Sequence, residues 1–220
     1  DEHLPPDGSL KKKHFQDFMK RLLKELDKQG IKIRYYHCGE YGEQLMRPHY
    51  HAIIFGYDFP DRKLFTVRQG VRLYRSEMLE RLWPFGFSTV GDVTFESAAY
   101  VARYVLKKMT GEKAEEHYKG KQPEYTTMSR RPGIGHEWLM KYKDDVYNYD
   151  YVVIRNGIKC RPPRYYDAIY DEIEPEKMEK IKIRRRKFVQ NGEYTYERLK
   201  AKEVIQKQRL KQLVRPIEVQ

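Results

Sequence analysis

The sequence predicts an α+β protein in which helices pack on an antiparallel sheet and a basic helical extension follows. Three observations predict this class. Residues 10–29 carry apolar side chains at helical spacing, and residues 31–38 and 49–57 are two strand-like segments joined by a polar loop. Residues 177–215 hold 14 Lys or Arg against 4 Asp or Glu, which is typical of a solvent-facing basic tail.

The first three elements follow from these patterns. Ser9 is a residue type that caps helices, so helix 10–29 is expected to begin after it and to end at Gly30. The segment HYHAIIFGY, residues 49–57, is apolar on both faces, which favours a central strand. We expect it to pair antiparallel with residues 31–38.

Shorter signals predict the remaining elements, and residues 111–135, which are polar and rich in Gly and Pro, are expected to form loops. We predict helices at residues 76–83, 95–109, 138–147, 175–187 and 195–213, a strand at 87–94, and a hairpin of residues 151–154 and 157–160 around Asn156-Gly157. This organisation predicts a catalytic domain at residues 1–145, followed by a hairpin and basic helical extension at 146–220.

Composition excludes several classes of protein. The chain has 220 residues, a formal net charge of +12 and 40% hydrophobic residues, which is enough apolar content for an ordinary core. No apolar run approaches the roughly 18 residues of a membrane span, and the first residues lack the apolar segment of a signal peptide. Two cysteines cannot form a disulfide framework. A basic intracellular protein that binds a polyanion remains.

The basic tail is the first candidate nucleic-acid-binding region. Clustered positive charge in one segment is the electrostatic signature of nucleic-acid binding. The candidate contacts are Arg184, Arg185, Arg186 and Lys187. The alternative is a solvated, salt-bridged helix without a ligand.

The sharpest pattern is His49-Tyr50-His51 within an apolar strand. Side chains two apart on a strand point to the same face, so both imidazoles can reach one divalent ion, Mg²⁺ or Mn²⁺. Glu40, nine residues before His49, fits as a third ligand if the strands form a hairpin. Glu43 and His37 are alternatives, and two unrelated histidines remain a further interpretation.

A second pattern lies on the helix predicted at residues 95–109. Tyr100 and Tyr104 are one helical turn apart on one face, and Lys107 or Lys108 follows near that face. Paired tyrosines can act in turn as nucleophiles toward phosphorus, with a lysine stabilising a phosphate or a departing oxyanion. An amphipathic helix with aromatic packing is the alternative.

Together these segments resemble a known family. RPHYHAIIFG and AAYVARYVLKK are similar to the replication initiators of the Microviridae, and DEHLP, CGEYGE and MSRRPGIG resemble the gokushovirus branch. Those initiators belong to the HUH endonuclease superfamily, named for two histidines that flank a hydrophobic residue. Tyr50 holds the middle position here. The resemblance spans roughly residues 1–140.

The resemblance implies a ferredoxin- or RRM-like antiparallel sheet whose first strand precedes DEHLP, with a metal site on one face and the tyrosine helix against it. It implies that His49, His51 and Glu40 bind Mg²⁺ or Mn²⁺. Tyr100 and Tyr104 would be the nucleophiles, with Lys107 or Lys108 in support. In MSRRPGIG, Arg130 and Arg131 would contact DNA, although a purely structural turn is the alternative.

The expected function is therefore that of a rolling-circle replication initiator, which nicks and rejoins single-stranded origin DNA through a 5′-phosphotyrosine. Host helicase and polymerase are further expected partners, and the cytoplasm of a bacterial host is the expected location. Two alternatives stand beside it. One is a non-catalytic nucleic-acid-binding module of ferredoxin-like fold, and the other is a relaxase or transposase of the HUH superfamily.

Overall fold

A computed structural model describes residues 2–42, 44–68, 70–103, 108–190, 192 and 194–211. The chain divides after Arg130 into two compact units, here the N-terminal unit and the C-terminal unit. The sequence had predicted a boundary after residue 145. That position lies inside a helix, His136–Tyr149, whose buried residues belong to the core of the C-terminal unit, so the division comes earlier in the chain.

The N-terminal unit contains two small antiparallel sheets and four helices among its described residues. In chain order the elements are α1 (Lys12–Asp27), β1 (Arg34–Tyr41), β2 (Pro48–Phe55), β3 (Lys63–Arg68), β4 (Val71–Arg75), α2 (Glu77–Leu82), β5 (Val90–Gly91), α3 (Phe95–Arg103), α4 (Lys113–Tyr118) and β6 (Tyr125–Met128). The first sheet has the order β2-β1-β6 and the second the order β3-β4-β5. The predicted α+β class is confirmed, whereas the ferredoxin-like arrangement stays a prediction.

The predicted pair of strands is confirmed as β1 and β2, which run antiparallel from Arg34 opposite Phe55 to Tyr41 opposite Pro48. The predicted central position of β2 is wrong for the described residues, where β2 is an edge strand and β1 is central. The apolar character of β2 has another cause. Both of its faces are covered, because Ile53 packs in a cluster with α3 and Ile54 packs against the cluster of α1.

Helix α1 covers one face of the first sheet. Its stripe of Phe15, Phe18, Leu22 and Leu26 is almost completely buried, as expected for an amphipathic helix that faces a core. The predicted cap at Ser9 is wrong: α1 begins after Lys11 without a side-chain cap. The Ser9 hydroxyl instead accepts a hydrogen bond from the Gln122 backbone N–H at 2.9 Å.

Helix α3 covers the opposite face, where Tyr100 and Val101 pack against Cys38 and Ile53. The predicted helix at 95–109 is confirmed for Phe95–Arg103. Residues 104–107 lie outside the described residues, and residues 108–110 are not helical. The sequence therefore placed the end of this helix too late.

Several short elements of the N-terminal unit were not predicted. Strands β3 and β4 form an unpredicted hairpin, and the strand expected at 87–94 is reduced to the two residues of β5. Helix α4 and strand β6 lie within residues 111–135, where only loops were expected. Strand β6 depends on pairing with a distant strand, which local sequence does not encode.

The C-terminal unit is a small helical assembly with one hairpin. Its elements are α5 (His136–Tyr149), β7 (Val152–Val153), a 3₁₀ turn (Arg155–Gly157), β8 (Lys159–Cys160), α6 (Arg164–Ile173), α7 (Pro175–Gln190) and α8 (Tyr196–Lys211). The Asn156-Gly157 hairpin is confirmed, with φ values of 60° and 72°, as a two-residue turn requires. Helix α6 was not predicted. No helix in the described part of either unit is long and apolar enough to cross a membrane.

Candidate active site

The pairing of β1 with β2 places the predicted ligands on one face of the first sheet. Glu40 lies directly opposite His49, and Cys38 lies directly opposite His51. Residues opposite each other in an antiparallel pair point to the same face. Glu40, His49 and His51 therefore share the face that α3 covers. Cys38 shares it too, and strand parity with Glu40 is the sequence signal that could have found it.

Glu40 and His51 are in direct contact. The Nε2 atom of His51 lies 2.9 Å from Oε1 of Glu40, and the Glu40 side chain is only 6% exposed. His49 packs its imidazole over Gly42, where an added Cβ would fall 2.6 Å from the His49 ring. A glycine at position 42 thus leaves the space that this imidazole occupies.

The donor set fits a divalent cation. Two imidazoles and a carboxylate are typical ligands of Mn²⁺, and a carboxylate suits Mg²⁺. The 2.9 Å between His51 and Glu40 is close to the separation of adjacent ligands in an octahedron with bonds of about 2.1 Å. Among the described residues no group of three or more His, Cys, Asp or Glu side chains is gathered around one point. Two of the three expected donors are thus adjacent, and Glu43 lies outside the described residues.

His37 is excluded as the third ligand by its position. It lies on the other face of β1, stacked on Phe15 with ring centroids 3.5 Å apart, and its Nδ1 is 3.1 Å from the Thr127 hydroxyl. Burial, with a smaller contribution from the nearby His51, lowers the pKa of His37 to about 3. His37 is therefore a neutral core residue.

Tyr100 meets the candidate metal-binding face from α3. Its ring stands edge-on to the imidazole of His51, with centroids 5.9 Å apart and planes at 80°. Tyr100 is only 4% exposed. Tyr104 and Lys107 lie outside the described residues, and Lys108 is exposed beyond the end of α3. The structure therefore brings Tyr100, of the four predicted catalytic residues, to the histidines.

A buried pair that the sequence did not reveal holds the chain just after Lys108. The Tyr118 hydroxyl donates a short hydrogen bond to Glu124 and accepts one from the Met109 backbone N–H at 2.8 Å. Burial and Glu124 raise the pKa of Tyr118 to about 12, so the hydroxyl stays protonated. The pair fixes the backbone next to Lys108, and no local pattern signals it.

The two glycines of the segment MSRRPGIG have a packing role. The Gly133 N–H donates to the Tyr165 hydroxyl at 2.7 Å, and an added Cβ would fall 2.5 Å from the Tyr165 ring. Gly135 adopts a φ of 75° at the start of α5, beneath the Tyr166 hydroxyl. The alternative of a structural turn thus holds for the glycines, whereas Arg130 and Arg131 are exposed.

The basic residues of α7 do not form a uniform surface. Arg185 is only 14% exposed and is held between Asp150 and Asp167 at 3.0 Å and 2.7 Å. These two carboxylates raise its pKa. The prediction that Arg185 contacts nucleic acid is therefore wrong, because its charge is already used in a buried ion pair.

The neighbours of Arg185 are more exposed. Arg184 lies 3.8 Å from Asp150 and Arg186 lies 2.6 Å from Glu179, each with an exposed side chain. Lys187 is exposed on the same helix. These three residues remain candidates for contact with a polyanion.

Comparison with known proteins adds the family. Residues 3–109 match the family model of the replication-associated protein ORF2. Replication-associated protein VP4 of Bdellovibrio phage phiMH2K is 37% identical over 183 residues, which cover 80% of this chain and 57% of that protein. The chain belongs to the family of phage replication-associated proteins.

Two further relatives agree with this assignment. Replication-associated protein ORF2 of Spiroplasma virus 4 is 35% identical over 201 residues, covering 83% of this chain and 61% of that protein. Replication-associated protein ORF4 of Chlamydia phage 1 is 31% identical, covering 79% of this chain and 44% of that protein. The chain thus spans about half the length of these relatives. No solved structure matches it.

The range matched by the replication-associated family coincides with the candidate site. Residues 3–109 include Glu40, both histidines of β2 and the paired tyrosines. The predicted recognition as a phage replication protein is confirmed. The C-terminal unit lies outside the range of the family model.

Proposed function

We propose that the N-terminal unit is the nicking domain of a phage rolling-circle replication initiator of the HUH type. The observation that carries the proposal is the meeting of three chemistries on one sheet face: the Glu40 carboxylate, the His51 imidazole 2.9 Å away, and the Tyr100 ring against that imidazole. Homology to phage replication-associated proteins supports the proposal. The substrate would be single-stranded origin DNA within a bacterial host.

His49, His51 and Glu40 would hold the divalent cation, Mg²⁺ or Mn²⁺. When bound, such an ion supplies Lewis-acid polarisation of a phosphate oxygen. The chain contributes orientation, because both histidines sit on a strand, where few torsions remain to be fixed. Glu40 is nearly buried and holds the His51 ring in one orientation before any ligand arrives.

The proposed reaction breaks one phosphodiester bond and forms another. The Oη atom of a tyrosine attacks the scissile phosphorus, and the bond from phosphorus to the 3′ oxygen breaks. The tyrosine loses its proton and the 3′ oxygen gains one, so the products are a 5′-phosphotyrosine and a primer with a free 3′ hydroxyl. A second tyrosine, Tyr100 or Tyr104, would cut the regenerated origin after one round, and the 3′ hydroxyl would then close the circle.

Lys108 would contribute a positive charge near the reacting phosphate. Its backbone neighbour Met109 is tied to the buried Tyr118–Glu124 pair, so the backbone next to this lysine is held in place. A cation positioned beforehand stabilises the charge that develops on phosphate oxygens without further reorganisation. Lys107 has the same proposed role.

This arrangement favours catalysis over a binding module of similar fold. A module that only binds nucleic acid by stacking needs exposed aromatic rings on its sheet. Tyr100, by contrast, is buried against His51, and a nearly buried carboxylate beside an imidazole has no role in stacking. The relaxase or transposase alternative shares the proposed chemistry and differs in its DNA substrate.

The test compares cleavage with binding in variants of β1 and β2. We expect His51→Ala to lower Mn²⁺-dependent cleavage of single-stranded phage origin DNA by more than about 100-fold, since even the partners of metal ligands are worth roughly 10- to 100-fold. Affinity for the same DNA without metal should stay within a few-fold of the unaltered protein.

The matched control is His37→Phe, which removes a histidine from the same strand pair on its other face. This variant should keep cleavage because the Phe ring preserves the stack on Phe15. Cleavage by His51→Ala at the rate of the unaltered protein, or equal loss in both variants, would contradict the proposed function.

A further inference from the structure

We propose that the second sheet carries a stacking platform for single-stranded DNA, formed by Phe65, Phe87 and Arg75. The two phenylalanine rings are 52% and 66% exposed, and their centroids lie 5.7 Å apart. Arg75 places its guanidinium 4.6 Å from the centre of the Phe87 ring and 5.7 Å from that of Phe65. The three side chains thus form one continuous surface, here called the Phe65–Phe87 platform.

A β-bulge explains how these rings meet. The register of β3 with β4 shifts between Leu64 and Thr66, which leaves Phe65 as the extra residue. Bulges redirect side chains, and this one accompanies the contact of Phe65 with Arg75, a residue of the neighbouring strand. Two large aromatic side chains are thereby exposed next to a cation on the surface of the unit.

The charge around the platform favours a polyanion. Residues 63–75 contain four cations, Lys63, Arg68, Arg72 and Arg75, and not one carboxylate. Lys63 is paired with Glu77 and Arg75 with Glu80. Arg68 and Arg72 are exposed and make no ion pair within the described residues. Two uncompensated cations therefore flank the exposed rings.

These features together match the chemistry of single-stranded nucleic acid. Proteins that bind it without reading sequence combine cationic grooves for the backbone with aromatic rings on which bases stack. Arginine adds a cation–π contribution beside such rings. A protein partner that docks on apolar surface would not need the flanking cations. The assignment of the ligand as DNA rests on the proposed function, whereas its single-stranded nature rests on the exposed rings.

The first test measures binding of oligo-dT with a fluorescent label in the presence of EDTA, so that cleavage plays no part. Phe65→Leu with Phe87→Leu keeps apolar volume but removes the flat aromatic faces. We expect this double variant to weaken binding about 5- to 100-fold, as stacking of a base on an aromatic ring predicts. Binding to a blunt duplex should change much less because its bases are already stacked.

Two controls separate stacking from other effects. Leu64→Ala removes an exposed aliphatic side chain from the same strand and should leave binding unchanged. Arg68→Ala and Arg72→Ala should each reduce the slope of log affinity against log salt by about 1. A direct reporter is Phe87→Trp, whose added fluorescence should be quenched by oligo-dT, and thermal melting of each variant checks its fold.

The outcomes are decisive in both directions. Unchanged oligo-dT affinity in the folded Phe65→Leu/Phe87→Leu variant, or an equal loss on duplex DNA, would overturn the platform. His51→Ala should bind oligo-dT like the unaltered protein. The proposed function and the platform therefore fail separately: loss of cleavage in His51→Ala supports the former whatever the Phe variants do.

Discussion

Protonation of His37 should limit the stability of the N-terminal unit in acid. This side chain is completely buried, and its pKa is lowered from 6.5 to about 3 by burial. Between these two values the unfolded chain binds a proton that the folded chain does not. Stability contributed at neutral pH is therefore lost as the pH falls through 6.5, and the loss levels off below about pH 3.

The magnitude follows from the pKa difference. Each pH unit within this window costs about 1.4 kcal/mol, so the free energy of unfolding should fall by about 2 kcal/mol between pH 7 and pH 5 because of His37 alone. His37→Phe keeps a ring that stacks on Phe15 and removes the titration. Other titrating groups contribute equally to both proteins and cancel in the comparison.

The assay is urea unfolding at pH 7 and pH 5 in a Trp138→Phe background. Fluorescence then reports Trp83, which packs edge-on against Phe18 in the N-terminal unit. The difference between the unaltered protein and His37→Phe should shift by about 2 kcal/mol between the two pH values. His117→Phe, at an exposed position, is the matched control. An identical pH dependence with and without His37 would refute the assignment of a buried neutral imidazole.

Three further predictions concern the tyrosines and the basic residues. Tyr100→Phe and Tyr104→Phe should each still form a covalent adduct with single-stranded origin DNA in a gel assay, whereas the double variant should form none; an adduct in the double variant would exclude both. Arg185→Ala should destabilise the C-terminal unit by about 3–5 kcal/mol in urea unfolding, because it leaves Asp150 and Asp167 without their cation, whereas Lys187→Ala should change stability by less than about 0.5 kcal/mol and lower the salt dependence of DNA binding; equal destabilisation by both would refute this division. Deletion of residues 191–220 should preserve the melting temperature, since the described side chains of α8 are exposed, and should flatten the salt dependence of binding; an unchanged salt slope would show that α8 does not contact DNA.

The parts of the fold that local sequence predicted are those with strong periodicity. Strand β2 and helix α1 have apolar patterns that continue over eight or more residues, and both were found close to their actual bounds. The β3–β4 hairpin was missed because most of the side chains of β3 are exposed, so burial does not impose an apolar alternation. Strand β6 has four residues and depends on pairing with β1.

The candidate site shows the same division. Parity along β1 is enough to separate Glu40 from His37, and the structure places them on opposite faces. No such rule distinguishes Arg185 from Arg184 or Arg186, because a run of basic residues contains no sign of which one is buried. Asp150 and Asp167, which are distant in sequence, decide that Arg185 is a structural residue.

The most direct test of the proposed nicking reaction is to map the DNA–protein bond. The protein is incubated with single-stranded phage origin DNA and Mn²⁺, the adduct is trapped and digested, and the modified peptide is sequenced by mass spectrometry. The account predicts a phosphotyrosine ester on Tyr100 or Tyr104 and its absence in His51→Ala. An adduct on any of the other 17 of the 19 tyrosines, or the same yield of adduct in His51→Ala, would contradict it.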